Sequence, residues 1–208
     1  MSQALVHIGM AILDIVQVGD PVLRQPARPL SLEELASDRI QKLIEDMRDT
    51  MRAAPGVGLA APQIGEPLQL VVIEDPPAYH ARLSPEELAA REREAVAFHV
   101  LVNPTLTVRS DEVVSAFEGC LSFASFSMVV KRARKVRVEA LDEHGQKVVK
   151  VAIGWYARIL QHEVDHLRGI VCCDRMESRT LSTGANFAKH WQGKTVDEVR
   201  AAVYTEST

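Results

Sequence analysis

The run Gln161-His162-Glu163-Val164-Asp165-His166 contains H-E-x-x-H, two imidazoles four residues apart with a carboxylate between them. The preceding Ala157-Arg158-Ile159-Leu160 places the run inside a helix. Positions i and i+4 share a helix face, so His162 and His166 can grip one metal ion. Glu163 stands about 100° further round the helix. That suits a base acting on a metal-bound water better than a third ligand. The chemistry predicted is metal-assisted hydrolysis, with the third ligand and the substrate still open.

Downstream, Asp174, Glu177 and His190 are available as third ligands, but no helical or strand pattern returns them to the histidines. Upstream, Glu118-Gly119-Cys120-Leu121-Ser122 closes a long strand-like run. A thiolate from Cys120 is a better third ligand than those alternatives, and a set of one cysteine and two histidines leaves a tetrahedral position open for water. The other fate of Cys120 is that of a small buried apolar residue. A third feature is Pro55-Gly56-Val57-Gly58-Leu59-Ala60-Ala61-Pro62-Gln63. Its G-x-G-x-x-A spacing imitates a dinucleotide fingerprint, which needs a strand before it and a helix after it. Here a charged helix precedes the glycines, and Pro62 spoils a helix after them. The better reading is backbone that approaches a ligand closely, with the Gln63 amide as a donor.

These motifs need a frame. Ser31-Leu32-Glu33-Glu34 is a capping box, and it opens a helix with an apolar stripe from Leu32 to Met51. Gln69–Glu74 is a short strand. Ser84-Pro85-Glu86-Glu87 starts a second, charged helix to about Ala95, which reads as a surface insertion. Strands are expected at Phe98–Val102 and Leu106–Phe117, then a hairpin of Met128–Ala140 with Gln146–Ile153 across Asp142-Glu143-His144-Gly145. Gly154 opens the H-E-x-x-H helix and Gly169 closes it. Asn186 to Tyr204 reads as a weak helix and a tail. The basic run Lys131–Arg137 reads as the solvated face of a strand. Val171-Cys172-Cys173 reads as a buried strand, with a redox pair as the alternative. His7, His80, His99, His144 and His190 read as surface or structural. Strands in series with helices before and after give an α+β class, with antiparallel or mixed sheets around a central H-E-x-x-H helix.

The 208 residues suit one domain, 1–208, with a core of about 12–176 and a C-terminal helix and tail of about 177–208. Apolar residues at 47% and charged residues at 25% are those of a globular protein large enough to bury a core without disulfides. The net charge of −4 gives no reason to expect nucleic acid, and no apolar run reaches transmembrane length. Met1 to Leu13 lacks a basic n-region and the arginines of a transit peptide, so a bacterial cytoplasmic location is expected.

Taken together, Gly56–Gln63, Glu118–Ser122 and Gln161–His166 resemble the three motifs of the peptide deformylase family: G-x-G-L-A-A-x-Q, E-G-C-L-S and Q-H-E-x-D-H. Asp20-Pro21-Val22-Leu23-Arg24 and Asn103-Pro104 add to the resemblance, which spans roughly residues 12–176. The insertion around 75–97 and Gly154–Leu160 are similar to the subgroup of organellar and some bacterial enzymes. The resemblance implies removal of the N-formyl group from the initiator methionine of new polypeptides, releasing formate. It implies Cys120, His162 and His166 as ligands of Fe²⁺, with Zn²⁺, Ni²⁺ or Co²⁺ as substitutes. It implies Glu163 as base, Gln63 and the Leu121 N–H as oxyanion donors, and Gly58 as a backbone partner of substrate. Val57, Phe117, Trp155, Ile159 and the His162 ring would line the methionine pocket, with core packing as the competing role for the four apolar residues. Glu118 and Arg132 would form a charge pair bracing the cysteine loop. N-formylmethionyl nascent peptides would be the partners, and a contact with the ribosome exit region stays open. One departure stands out: Ser127 occupies the place of an arginine seven residues after the motif cysteine. The alternative is therefore a metal-binding relative with altered or lost peptide preference, and a general zinc endopeptidase is a third reading.

Overall fold

The computed structural model describes residues 11–81 and 83–204. The chain start with His7 and the last four residues of the tail lie outside them.

A short 3-10 turn, Pro21–Arg24, begins where Asp20 accepts a hydrogen bond from the Val22 N–H at 2.9 Å. The expected helix from Ser31 is two helices, α1 (Leu32–Leu35) and α2 (Asp38–Ala53). Ser31 caps the first through a complete capping box and Ser37 caps the second, so the chain restarts. Leu32, expected in the apolar stripe, is 62% exposed because the break turns it outward. Strands β1 (Gly58–Ala60) and β2 (Leu70–Asp75) follow. Next come α3 (Pro77–His80) and α4 (Pro85–Ala90), the latter shorter than expected. Strands β3 (Val96–Val108), β4 (Val113–Cys120), β5 (Phe123–Ala133), β6 (Lys135–Leu141) and β7 (Lys147–Ile153) lead into α5 (Gly154–Leu167). After it come β8 (Ser182–Thr183), α6 (Gly184–Asn186), a π-helical stretch Phe187–Trp191 and α7 (Val196–Val203).

Three strand boundaries differ from the sequence reading. β3 continues through Asn103-Pro104 as a bulge: Asn103 takes φ +51°, and its side chain binds Leu30 N and O at 2.9 and 2.8 Å. The reversal falls at residues 109–112 instead. The strand expected over Met128–Ala140 is cut at Arg134, where the chain leaves one sheet for the other. Cys172–Asp174 is a 3-10 turn, because the Asp174 carboxylate accepts the Val171 N–H at 2.9 Å and curls the chain.

The sheets are antiparallel, in the orders β1-β2-β3-β6-β7 and β4-β5-β8. Side chains of β2 alternate between two cores. Leu70 and Val72 pack with Ile40, Ile44, Met47 and Met51 of α2. Val71 and Ile73 pack with Ala157, Leu160 and Leu167 of α5. Each helix thus covers one face of the larger sheet. The smaller sheet joins through Arg158 and Gln161 of α5: Gln161 Nε2 donates to Ala133 O at 2.8 Å, and Arg158 Nη1 to Val130 O at 2.9 Å. The basic run is not uniformly solvated, since Arg132 is 4% exposed.

α5 starts on a glycine for a steric reason. Gly154 has φ +59°, and a Cβ there would come within 2.7 Å of Arg91 O. Gly154→Ala is expected to lose at least about 1–3 kcal/mol of stability from the backbone alone. Urea denaturation checks it, and an unchanged midpoint would contradict the close packing.

Candidate metal centre

Cys120 enters from the end of β4, while His162 and His166 come from successive turns of α5. Their ligand atoms lie within 4.8 Å of one another, with Cys120 Sγ 3.3 Å from His166 Nε2. A tetrahedral ion bound by one sulfur and two nitrogens would separate its ligands by about 3.3–3.6 Å. The trio fits such an ion after small adjustments.

The surroundings set each ligand's protonation differently: His166 is ready for a metal, whereas His162 and Cys120 must each give up a proton to bind one. Burial pushes the His166 pKa well below its ordinary value, giving the neutral imidazole a metal requires. Burial alone would also lower His162, but the Glu118 hydrogen bond and the nearby Glu163 and Glu118 charges bring it up to about 9. Its Nδ1 is engaged with Glu118 at 3.0 Å, which leaves Nε2 as the free ligand atom. The neighbouring Cys172 thiol and burial push the Cys120 thiol up, so a thiolate there needs a cation beside it. Cys172, expected as strand filler, thus sits against the ligand cysteine from a 3-10 turn.

Glu163 is buried, and its Oε2 has no hydrogen-bond partner among the described residues. Burial raises its pKa to about 7 against the lowering effect of His162 and Arg132. A Cβ on Gly58 would lie 2.6 Å from Glu163 Cδ. Only glycine lets β1 pass this close to the carboxylate. Gly58→Ala is therefore expected to cut kcat about 10²-fold by displacing the carboxylate, with bound metal unchanged. Elemental analysis beside steady-state kinetics tests both halves.

Gln63 is 1% exposed. Its Oε1 accepts the Ala60 N–H at 2.9 Å, and this turns Nε2 toward Cys120 Sγ at 3.7 Å and Ser122 Oγ at 3.3 Å. Behind the trio, Glu118 accepts from Arg132 at 2.9 and 3.0 Å and from Arg158 at 2.6 Å. Arg132 also bonds Asp165, which Arg175 holds at 2.6 and 2.8 Å. Burial alone would raise the Glu118 pKa, but hydrogen bonds from His162 and Arg132 hold it far below the carboxylate range.

A cleft of about 350 Å³ opens on the trio. Of the residues expected there, Val57, Gly58, Gln63, Glu118, Cys120, Leu121, Trp155, Ile159, His162 and Glu163 line it, and His166 lies buried behind. Phe117 does not line it. It precedes Glu118 on β4, faces the other side of the strand, and packs on Phe187 at 4.8 Å. Ser127 pairs with Ser182 of β8, and Ser125 and Phe126 form the wall next to it. His80 Nε2 lies 3.3 Å from the buried Asp75 carboxylate without a hydrogen bond to it, and His99 bonds Tyr156 at 2.9 Å, so both sit in structural surroundings. The sequence reading missed Arg158, Asp165 and Arg175. Arg158 stands four residues before His162, the same interval that separates the histidines, and that spacing was its one signal.

The fold and this cleft define a class: an antiparallel α+β frame presenting one thiol, two imidazoles and a buried carboxylate around a single point. Comparison with known proteins is specific. The family model described as polypeptide deformylase matches residues 12–182. The chloroplastic peptide deformylase 1A of Solanum lycopersicum is 47% identical over 176 residues, 85% of this chain and 64% of that protein. Peptide deformylase 3 of Streptomyces avermitilis is 45% identical over 192 residues, 92% of this chain and 83% of its own. A class I type b peptide deformylase from Acinetobacter baumannii, solved with Met-Ala-Ser bound, superposes with a TM-score of 0.71 at 33% identity, covering 81% of this chain and 100% of that one. The chain belongs to the polypeptide deformylase family. It spans under two thirds of the length of the tomato relative.

Proposed function

We propose that this protein is a peptide deformylase, a metal-dependent hydrolase that removes the N-formyl group from the N-terminal methionine of new polypeptides. The observation that carries the reading is the convergence of Cys120, His162 and His166 beside the Glu163 Oε2, which has no partner among the described residues. Those three would hold one divalent cation, Fe²⁺ by the family's habit with Zn²⁺, Ni²⁺ or Co²⁺ as substitutes; when bound it polarises the formyl carbonyl and activates water. α5 is then the metal-binding helix at the centre of the fold.

Hydrolysis joins the water oxygen to the formyl carbon and breaks the carbon–nitrogen bond. Glu163 takes the proton from water and passes it to the departing amine, for which a pKa near 7 is suited. Gln63 Nε2 and the Leu121 N–H act as donors to the oxyanion. Gly58 offers backbone to the peptide. Val57, Trp155, Ile159 and the His162 ring line the side-chain pocket, and Glu118 fixes the His162 tautomer.

Residues 1–208 form one domain in this reading, with a core of about 12–176 and a C-terminal helix and tail of about 177–208. No helix among the described residues is long and apolar enough to cross a membrane. The Streptomyces relative supports a bacterial cytoplasmic location, although the tomato relative is chloroplastic. Formylated nascent peptides are the partners, and cosedimentation with ribosomes tests a further contact.

The deciding measurement is formate release from formyl-Met-Ala-Ser by anaerobically prepared, iron-loaded protein. No release would overturn the activity and favour a relative with altered substrate preference, the reading that Ser127 suggests. Cleavage of unformylated peptides would favour an endopeptidase. Stripping the metal with a chelator is expected to lower Tm and abolish release, and adding Fe²⁺ or Ni²⁺ to restore both. Calorimetry without substrate reads the first effect independently of activity.

A further inference from the structure

Trp155 separates two spaces. On one side is the cleft at the metal centre, and on the other a depression of about 220 Å³ shared with Arg91, Arg134 and Arg158. Its indole Nε1 is buried with no acceptor among the described residues, so no hydrogen bond sets the ring. An aromatic wall with room on both sides needs something else to hold it.

Two guanidinium groups lie over it, Arg91 Cζ at 5.3 Å and Arg93 Cζ at 5.1 Å from the ring centroid. Both distances fall within cation–π range. Both arginines come from the segment between β2 and β3, which docks on the start of α5. There the backbone N–H of Trp155 donates to Arg91 O at 2.9 Å, against the glycine-only contact at Gly154. The two are anchored differently. Arg93 is fixed by two 2.8 Å hydrogen bonds to Asp75, whose side chain is fully buried. Arg91 forms no ion pair among the described residues, and its burial together with the nearby Arg93 charge disfavours its cationic form. The aromatic face, with the nearby Glu87 charge, compensates Arg91 for that position.

We infer that Arg91 and Arg93 clamp the Trp155 ring and so set the apolar end of the cleft, making this pair of arginines a specificity element for the first side chain of the substrate. This rests on the reading that Trp155 lines the pocket for that side chain. The two arginines are positioning residues, since neither lines the cleft itself.

Arg91→Ala is the cleaner test, because it strands no carboxylate. The expected result is a rise in KM for formyl-Met-Ala-Ser of about fivefold with kcat within about twofold, matching the loss of one cation–π contact. Preference for formyl-Met over formyl-Ala peptides should fall with it, and Arg91→Lys should recover part of the loss. A second readout needs no turnover. The chain has two tryptophans, so a Trp191→Phe background leaves Trp155 as the sole indole. Acrylamide quenching of Trp155 should then increase on adding Arg91→Ala. Unchanged quenching with unchanged KM would overturn the clamp, as would quenching that rises without any change in preference while Trp155→Ala abolishes it. If Trp155→Ala itself leaves the preference intact, the pocket assignment fails, and the specificity role fails with it.

Discussion

Glu163→Gln is expected to lower kcat for formate release by about 10²–10⁴-fold, the usual contribution of a positioned general base. Glutamine keeps the volume that stands against Gly58, so the cleft should retain its shape. It also replaces a buried carboxyl oxygen that has no partner among the described residues, so no hydrogen bond of that oxygen with them is lost. Bound metal should stay at wild-type content, because the ligand atoms belong to Cys120, His162 and His166. A pH series sharpens the assignment. The base works only when deprotonated, and the pKa of Glu163 is raised to about 7 without a cation. A bound cation would shift it downward. The wild-type rate should therefore climb with pH up to about 7 or below and level off above it, whereas the glutamine variant should lack that limb. Near-normal turnover in the variant would remove Glu163 from proton transfer.

The parts of this protein that can be read in the sequence are those where residue type and spacing each limit the possibilities. Gly154 and Gly169 bracket α5 because glycine marks both ends, and the structure puts the helix at Gly154–Leu167. Cys120, His162 and His166 can be picked out as a trio because few residue types bind a soft cation, and the structure brings their ligand atoms within 4.8 Å of one another. The features that escape depend on tertiary context. Ser31 and Ser37 both cap helices, and the apolar period runs through the break between them, so the pattern suggests one helix where two form. The β-pattern runs smoothly across Arg134, although the chain changes sheets there. Resemblance alone assigns Phe117 to the pocket, whereas its alternation with Glu118 sends it to Phe187. Arg158 has the look of a solvated helix residue. It is 4% exposed, because the smaller sheet closes over it and supplies Glu118, Val130 O and Val114 O as acceptors.

That buried array makes Arg132→Met the most damaging change to the fold. Arg132 bridges Glu118 and Asp165, and all three are at most 5% exposed. Removing one member of a buried ion pair costs about 3–5 kcal/mol, mostly because the partner's charge is left uncompensated. Arg158 still reaches Glu118 and Arg175 still reaches Asp165, so the loss should fall toward the lower end of that range. The urea midpoint should drop accordingly. Metal affinity should weaken about 10–100-fold, because Glu118 fixes the His162 ring. Adding Glu118→Gln to Arg132→Met should cost further stability, because it takes the carboxylate from the buried Arg158, and it should not restore the metal affinity. Acid behaviour gives a third reading. The pKa of Glu118 is held below its unfolded value, so its contribution is present at neutral pH and fades as pH falls below about 4. Arg132→Met should flatten that acid-side slope, since Arg132 supplies much of the depression. If Arg132→Met instead left both midpoint and slope unchanged, the array would be a passive ornament of the fold, and the orientation of His162 would have to come from the metal alone.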